Sequence, residues 1–418
     1  MRISLDLDST TPAVVGARAG VPPHRLQALT GALVDLLARL LDAEKAGLLP
    51  HLSLARDGEE MARWVRKGAT WREPGEHFCD RLVLVGEPGA VDAALLLVPD
   101  RARARLAVVD RPDLRSIREA LEGAERPRIG VLLGPAWVAE LAGLVREQAG
   151  ASAPVTIFDG DFDGDFDGDV DGDVDGDLGG EQVAADASEA ERLDAPGSAD
   201  PRFGFLSPAS LCLAGFAGVD VDALAPGAAA GLGACLEPAV RRNPAARLGA
   251  LAAHLSVIEG LPLPVLLSPD RSLDRFAAWA SGAWAAITCR HVPVDGGEAP
   301  RGGAPLVARL GDEAMIQRVL AGPRDLWAVA LESGRDADRL DPVGALGRRL
   351  RDVQHRQLIE DGRPVARLAV DGGGVPARLA LALVWVQAAL FAAALDPVDP
   401  LSMDAADDWR ERVRRAAR

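Results

Sequence analysis

The chain contains no tyrosine, and aromatic residues make up only 4% of its 418 positions. This excludes a tyrosine general acid and a tyrosine platform for stacking nucleic-acid bases. The core must be built mainly from Ala, Leu and Val. A hydrophobic share of 48% and a charged share of 26% allow this and exclude wholesale disorder. Cysteine is scarce as well. Cys79, Cys212, Cys235 and Cys289 are far apart, with no CxxC and no Cys/His cluster. Neither a disulfide framework nor a zinc site is expected, and the four read as buried thiols of a cytoplasmic protein. We expect no metal and no cofactor. The N-terminus, MRISLDLDST, carries acids where a signal peptide needs an apolar stretch. The longest late apolar run, 379–395, contains Gln387 and many alanines, which suits a buried helix better than a membrane span.

Basic character is also lacking. The formal net charge is −16, and ten aspartates with no basic residue lie between Asp159 and Asp177. Without them the chain stands at −6, an ordinary soluble surface that gives no reason to expect nucleic-acid or membrane partners. The basic C-terminal end, WRERVRRAAR, reads as the end of a solvated helix, where cations suit the dipole. The Asp run is a four-residue repeat with Gly at every fourth place. With 181–200 it predicts a flexible acidic insertion of self-repelling charge. Asp159, Asp161, Asp163 and Gly164 match the opening of a calcium loop. The twelfth position is Val170 rather than Glu, however, and no flanking helix pair is evident.

The rest of the chain alternates. Residues 21–48 show leucines at helical spacing between Pro22-Pro23 and Gly47. Compact apolar strands follow at 81–86, 105–110, 128–134 and 153–159, with a helix after the third. Beyond Phe203 come an apolar stretch at 205–224, a helix from Asn243 to Glu259, a strand at 261–270 and a helix at 273–287. A strand at 326–332, a helix at 340–361, a strand at 363–371 and a helix at 376–395 complete the series. Short buried strands alternating with helices predict an α/β fold with parallel sheets.

Residues 201–228, PRFGFLSPASLCLAGFAGVDVDALAPGA, resemble glucose-6-phosphate isomerase. Arg202, Phe203, Leu206, Ser207, Pro208, Ala217, Gly218, Asp220 and Gly227 fall in step with that family's run through a Leu-Ser-Pro helix. Four later stretches agree in order: NPAARLGALAAHL at 243–255, the Trp-rich helix at 269–285, 311–331 with its Gly-Pro turn, and 361–370 with DPVD at 396–399. The resemblance implies two doubly wound, parallel-sheet domains of the sugar-isomerase (SIS) type. The layout it suggests is a helical segment at 1–80, a first domain at 81–158 and a disordered acidic linker at 159–200. A second domain follows at 201–395, with a tail helix at 396–418. It also implies a sugar phosphate as ligand and a homodimer.

Interconversion of glucose 6-phosphate and fructose 6-phosphate needs a phosphate cradle, a carboxylate base, a cation for the enediolate and a group for ring opening. The first family loop, Gly-Gly-Ser, reads GEPGA here; Gly86 and Gly89 remain, but Ala90 replaces Ser and Glu87 adds negative charge. The hydroxyl-rich phosphate loop aligns with LLGPAW at 132–137, where Trp137 takes up space. Ala286 stands at the place of the catalytic Glu, and no Asp or Glu lies within five residues of it. Glu313 stands at the place of the assisting His, and Asp407 at that of the Lys. Arg202 alone is retained. The candidate catalytic residues are therefore Arg202 and Glu313, and the candidate ligand-binding residues Gly86, Gly89 and Ser207. Each has a bland reading: Arg202 as a salt-bridging residue, Glu313 as an exposed turn carboxylate. His254 reads as a packed helix residue and Asn243 as a helix cap. Three functions stay open: an isomerase with relocated groups, a catalytically silent member that binds a sugar phosphate or a partner protein, and a calcium-responsive acidic protein. The residues favour the second.

Overall fold

The computed structural model describes residues 1–395, apart from 18, 76, 133–135, 151–152, 160–189, 196, 199, 269–270, 295–296, 310–311 and 335–341. The Asp-Gly repeat beyond Asp159 and the expected tail helix at 396–418 lie outside the described residues. Among the described residues twelve strands run in chain order: β1 (Ile3–Asp6), β2 (Arg81–Val85), β3 (Leu106–Val109), β4 (Pro127–Leu132), β5 (Val155–Asp159), β6 (Glu191–Asp194), β7 (Leu263–Ser268), β8 (Arg290–Val294), β9 (Gly297–Arg301), β10 (Leu306–Arg309), β11 (Leu326–Ser333) and β12 (Val365–Val370).

They belong to two compact units. One comprises Asp57–Val221; the other joins Met1–Arg56 to the described residues from Asp222 onward. The divisions thus fall after Arg56 and Val221 rather than at 80 and 200. Two packing facts account for this. β1 pairs antiparallel with β12, Leu5 opposite Leu368, which draws the N-terminus into the later sheet. The helix Pro208–Phe216 packs on the helix Gly58–Thr70: a Cβ on Gly68 would run into the Cys212 carbonyl, and one on Gly215 into that of Val65.

In the Asp57–Val221 unit the strand order is β3-β2-β4-β5-β6, all parallel. One face packs Val83, Val85, Val131 and Ile157 against Val138, Leu141 and Val145 of the helix Ala136–Ala149. β6 lies within the stretch expected to be linker. Its Glu191 accepts hydrogen bonds from Lys67, and from Arg128 at 3.4 Å, so this unit's own cations hold an acidic edge strand. β2 is buried from Leu82 to Val85, which is why its sequence is an unbroken apolar run.

In the other unit the order is β1-β12-β11-β7-β10, parallel except for β1, beside a separate β8-β9 hairpin. Apart from the edge strands β6 and β1, the two sheets share one topology. The first strand, β2 or β7, sits second in the row. The next strand lies outside it, and the remaining two follow on its other side. The apolar run read as a buried helix is Gly374–Leu395, which lies in the core of this unit. Gly249 on the helix Pro244–Val257 lets it approach closely, since a Cβ there would press on the Ala388 carbonyl and Phe391. Trp385 donates to the Ala280 carbonyl at 2.9 Å, and its ring centre lies 4.7 Å from that of Trp284.

Candidate functional site

In a doubly wound sheet, ligands bind beyond the carboxyl ends of the strands, where the chain order reverses. In the Asp57–Val221 unit this point lies between β2 and β4. Gly86 follows β2 directly, and a Cβ there would come within 3.1 Å of the Leu132 and Val91 side chains. Gly86 therefore serves close packing. The helix Pro88–Ala94 begins two residues later with Glu87 as its cap residue. Pro88 removes one N–H from the turn that would cradle an anion. A Cβ on Gly89 would lie 3.0 Å from the Pro201 ring, so the chain just before Arg202 already occupies that helix start. Trp137 is half-buried against the apolar core of the sheet. Positions 133–135 lie outside the described residues.

Arg202 is only 3% exposed. Its Nη2 donates to Asp200 Oδ2 at 2.7 Å, its Nε donates to the same carboxylate at 3.1 and 3.2 Å, and its backbone N–H donates to Oδ1 at 2.7 Å. The guanidinium also lies 4.8 Å from the Phe203 ring centre. Asp200 was not among the residues singled out from the sequence, although its i, i+2 spacing to Arg202 was the available signal. Ser207 is equally engaged. Its hydroxyl donates to the Gly204 carbonyl at 2.9 Å and accepts from the Ser210 N–H at 3.3 Å, forming a capping box with Ser210. Gly86, Gly89, Arg202 and Ser207 thus lie in one unit and serve its packing and capping.

Glu313 belongs to the other unit. It is exposed in the first turn of the helix Glu313–Ala321, where a carboxylate suits the dipole and Asp312 supplies the cap. Ala286 is half-buried on the helix Arg271–Thr288. Asp407 lies outside the described residues. In the same unit Ser268, at the end of β7, donates to Asp274 at 3.0 Å, and Arg309, at the end of β10, meets Asp274 at 3.2 Å. Nothing in the residue pattern signals that these three groups converge.

His254 is buried with Nε2 3.2 Å from Glu259 Oε1, and Asn243 caps its helix through the Ala246 N–H at 2.9 Å. Both match the packing roles expected of them. Burial pushes the Cys79 thiol up to about 11 and raises Cys212 and Cys235 as well, so none of these is a poised nucleophile. Among the described residues no three His, Cys, Asp or Glu side chains converge in a way that would hold a metal ion.

No family model matches the chain. It is 28% identical over 203 residues to the glucose-6-phosphate isomerase of Symbiobacterium thermophilum, a stretch that spans 46% of this chain and 42% of that relative. Among solved structures, a hypothetical protein of Thermus thermophilus superposes with a TM-score of 0.73 at 18% identity over 99% of both chains. A glucose-6-phosphate isomerase from Chlamydia trachomatis superposes with a TM-score of 0.66 at 14% identity, over 99% of this chain and 88% of that one. In fold, and in sequence over less than half its length, the chain is similar to glucose-6-phosphate isomerases.

Proposed function

We propose that this chain is a catalytically silent relative of glucose-6-phosphate isomerase, one that keeps the scaffold and has lost aldose–ketose chemistry. The observation that carries this reading is the state of Arg202. A cation that steadies an enediolate must offer its charge to the substrate. Arg202 is buried and its charge is met at two points by Asp200. The remaining requirements point the same way. Ala286 cannot move a proton, Ser207 spends its hydroxyl on a cap, and Pro201 lies over the helix start at Gly89.

A sugar phosphate remains the ligand class that the resemblance suggests, and a homodimer the assembly it suggests. Buried thiols at Cys79, Cys212 and Cys235 support a cytoplasmic location. The second reading, an isomerase with relocated groups, is favoured by the 28% identity to a named isomerase.

A coupled assay supplies fructose 6-phosphate and follows glucose 6-phosphate through its dehydrogenase. It is expected to show no turnover above a protein-free blank. Turnover that disappears in Arg202→Ala would establish the second reading instead. A thermal-shift titration with 6-phosphogluconate separates the two silent roles: a saturable rise indicates a sugar-phosphate sensor, and no rise indicates a protein-binding scaffold.

A further inference from the structure

At the amino ends of β7 and β11, a cavity of about 40 Å³ opens to solvent within the unit that holds both strands. Trp327, second in β11 and paired with Pro264 of β7, lines it together with Trp284 of the helix Arg271–Thr288. Both tryptophans are buried, at 1% and 3% exposure. Neither indole N–H has an acceptor among the described residues, and neither is sealed off from solvent. Trp385 shows the contrast, since its N–H donates to the Ala280 carbonyl at 2.9 Å. A buried indole N–H ordinarily has a partner. Two unmet donors on residues that line one cavity therefore call for acceptors from outside the chain.

The cavity also offers acceptors. The last turns of three helices line it: Ser256 of Pro244–Val257, Thr288 of Arg271–Thr288, and Ala392 of Gly374–Leu395. Helix ends leave carbonyl groups without partners inside the helix and carry partial negative charge. Thr288 Oγ1 donates to the Trp284 carbonyl at 2.9 Å, which leaves its lone pairs to accept. No charged side chain lines the cavity. A phosphate or carboxylate would find no cation here and three helix ends of its own sign. An organic cation suits the helix ends but leaves both indole donors unmet. A hydroxyl group donates and accepts, so it answers both needs. The volume takes about three water-sized groups, at about 10–15 Å³ each. We propose that this cavity binds the terminal diol of a small uncharged polyol. Trp284 and Trp327 donate to its oxygens, and its hydroxyls donate to the helix carbonyls. The cavity lies at the opposite end of the strands from the crevice where doubly wound sheets take their ligands. It therefore does not depend on whether isomerase chemistry survives.

The test titrates the full chain with erythritol and follows it by saturation-transfer NMR, with inorganic phosphate and tetramethylammonium as competitors. Saturable binding of erythritol below about 50 mM is expected, displaced by neither competitor. Trp327→Phe keeps the ring and removes one donor, and should weaken binding about fivefold. Ala253, half-buried, also lines the cavity, and Ala253→Leu should fill it and abolish binding. No saturable binding of erythritol overturns the proposal, as does binding that Trp327→Phe leaves unchanged. Displacement by tetramethylammonium also overturns it, since the cavity would then be a cation site.

Discussion

Asp200 grips Arg202 from two residues upstream, with Nη2–Oδ2 at 2.7 Å and the Arg202 backbone N–H on Oδ1 at the same distance. Both side chains are buried, at 3% and 9% exposure, so each depends on the other to offset the cost of leaving water. Arg202→Ala leaves a buried carboxylate uncompensated and is expected to cost about 3 kcal/mol. Urea unfolding checks this. The double variant Asp200→Asn/Arg202→Met should recover much of the loss, because no lone charge remains. If Arg202→Ala unfolds at the wild-type midpoint, the pair contributes nothing and Arg202 must be kept for another reason.

Ser207 and Ser210, both buried, satisfy each other's backbone donors at the start of the helix Pro208–Phe216. Ser207→Ala should destabilise by about 1 kcal/mol, the usual worth of a cap. Ser207→Asn should lose much less, since its amide oxygen can accept the same N–H. A sugar-phosphate titration of both variants separates a cap from a ligand group: a cap leaves affinity unchanged.

Gly68 touches the Cys212 backbone across the crossing of two helices. Alanine is the better helix former by about 1 kcal/mol, yet a methyl group has no room here. Gly68→Ala is therefore expected to destabilise, with overpacking of about 1–3 kcal/mol or more outweighing the propensity gain. The obstacle is backbone on both sides and cannot swing away. By contrast, a Cβ on Gly143, in the helix Ala136–Ala149, meets nothing within 4 Å, so Gly143→Ala should stabilise. Thermal unfolding of the two variants should move in opposite directions.

Burial, with the neighbouring Arg367 and Arg351, holds the His355 imidazole down at about 4 from its ordinary 6.5; Asp352 and Asp6 offset this only in part. Between these values the unfolded chain binds the extra proton and the folded chain does not. Stability contributed by neutral His355 is thus complete above pH 6.5 and declines as pH falls toward about 4. His355→Gln should flatten the pH dependence of the urea midpoint across that window. An unchanged slope would assign the acid sensitivity to other groups.

Much of the scaffold could be read in advance because a strand buried on both faces must be apolar throughout. The runs at β2, β7 and β11 announced themselves in this way, and β12 did so despite Arg367 in its middle. β6 did not: ERLD is polar, and Glu191 is accommodated in the sheet by Lys67, Arg128 and Thr156, which lie far away in sequence. β1 was hidden for a similar reason, since its partner β12 lies at the other end of the chain. At the candidate site the residues that align with the family's Glu, His, Lys and hydroxyl groups can be read one by one from the sequence. The role of what remains cannot. Whether a lone arginine faces a substrate or its own neighbour depends on how a loop folds back. Here the loop turns Asp200 onto Arg202 and lays Pro201 over Gly89.

The most direct test follows the proton rather than the product. Aldose–ketose isomerisation moves a proton between C1 and C2 through an enediolate, so an active site with a working base exchanges it with solvent. Glucose 6-phosphate incubated with the purified chain in D2O and followed by NMR is expected to keep its C2 proton at the rate of a protein-free control. Deuterium entering C2 faster with the chain than without it, and no longer entering in Arg202→Ala, would contradict the account and show that the site has been rebuilt around the arginine.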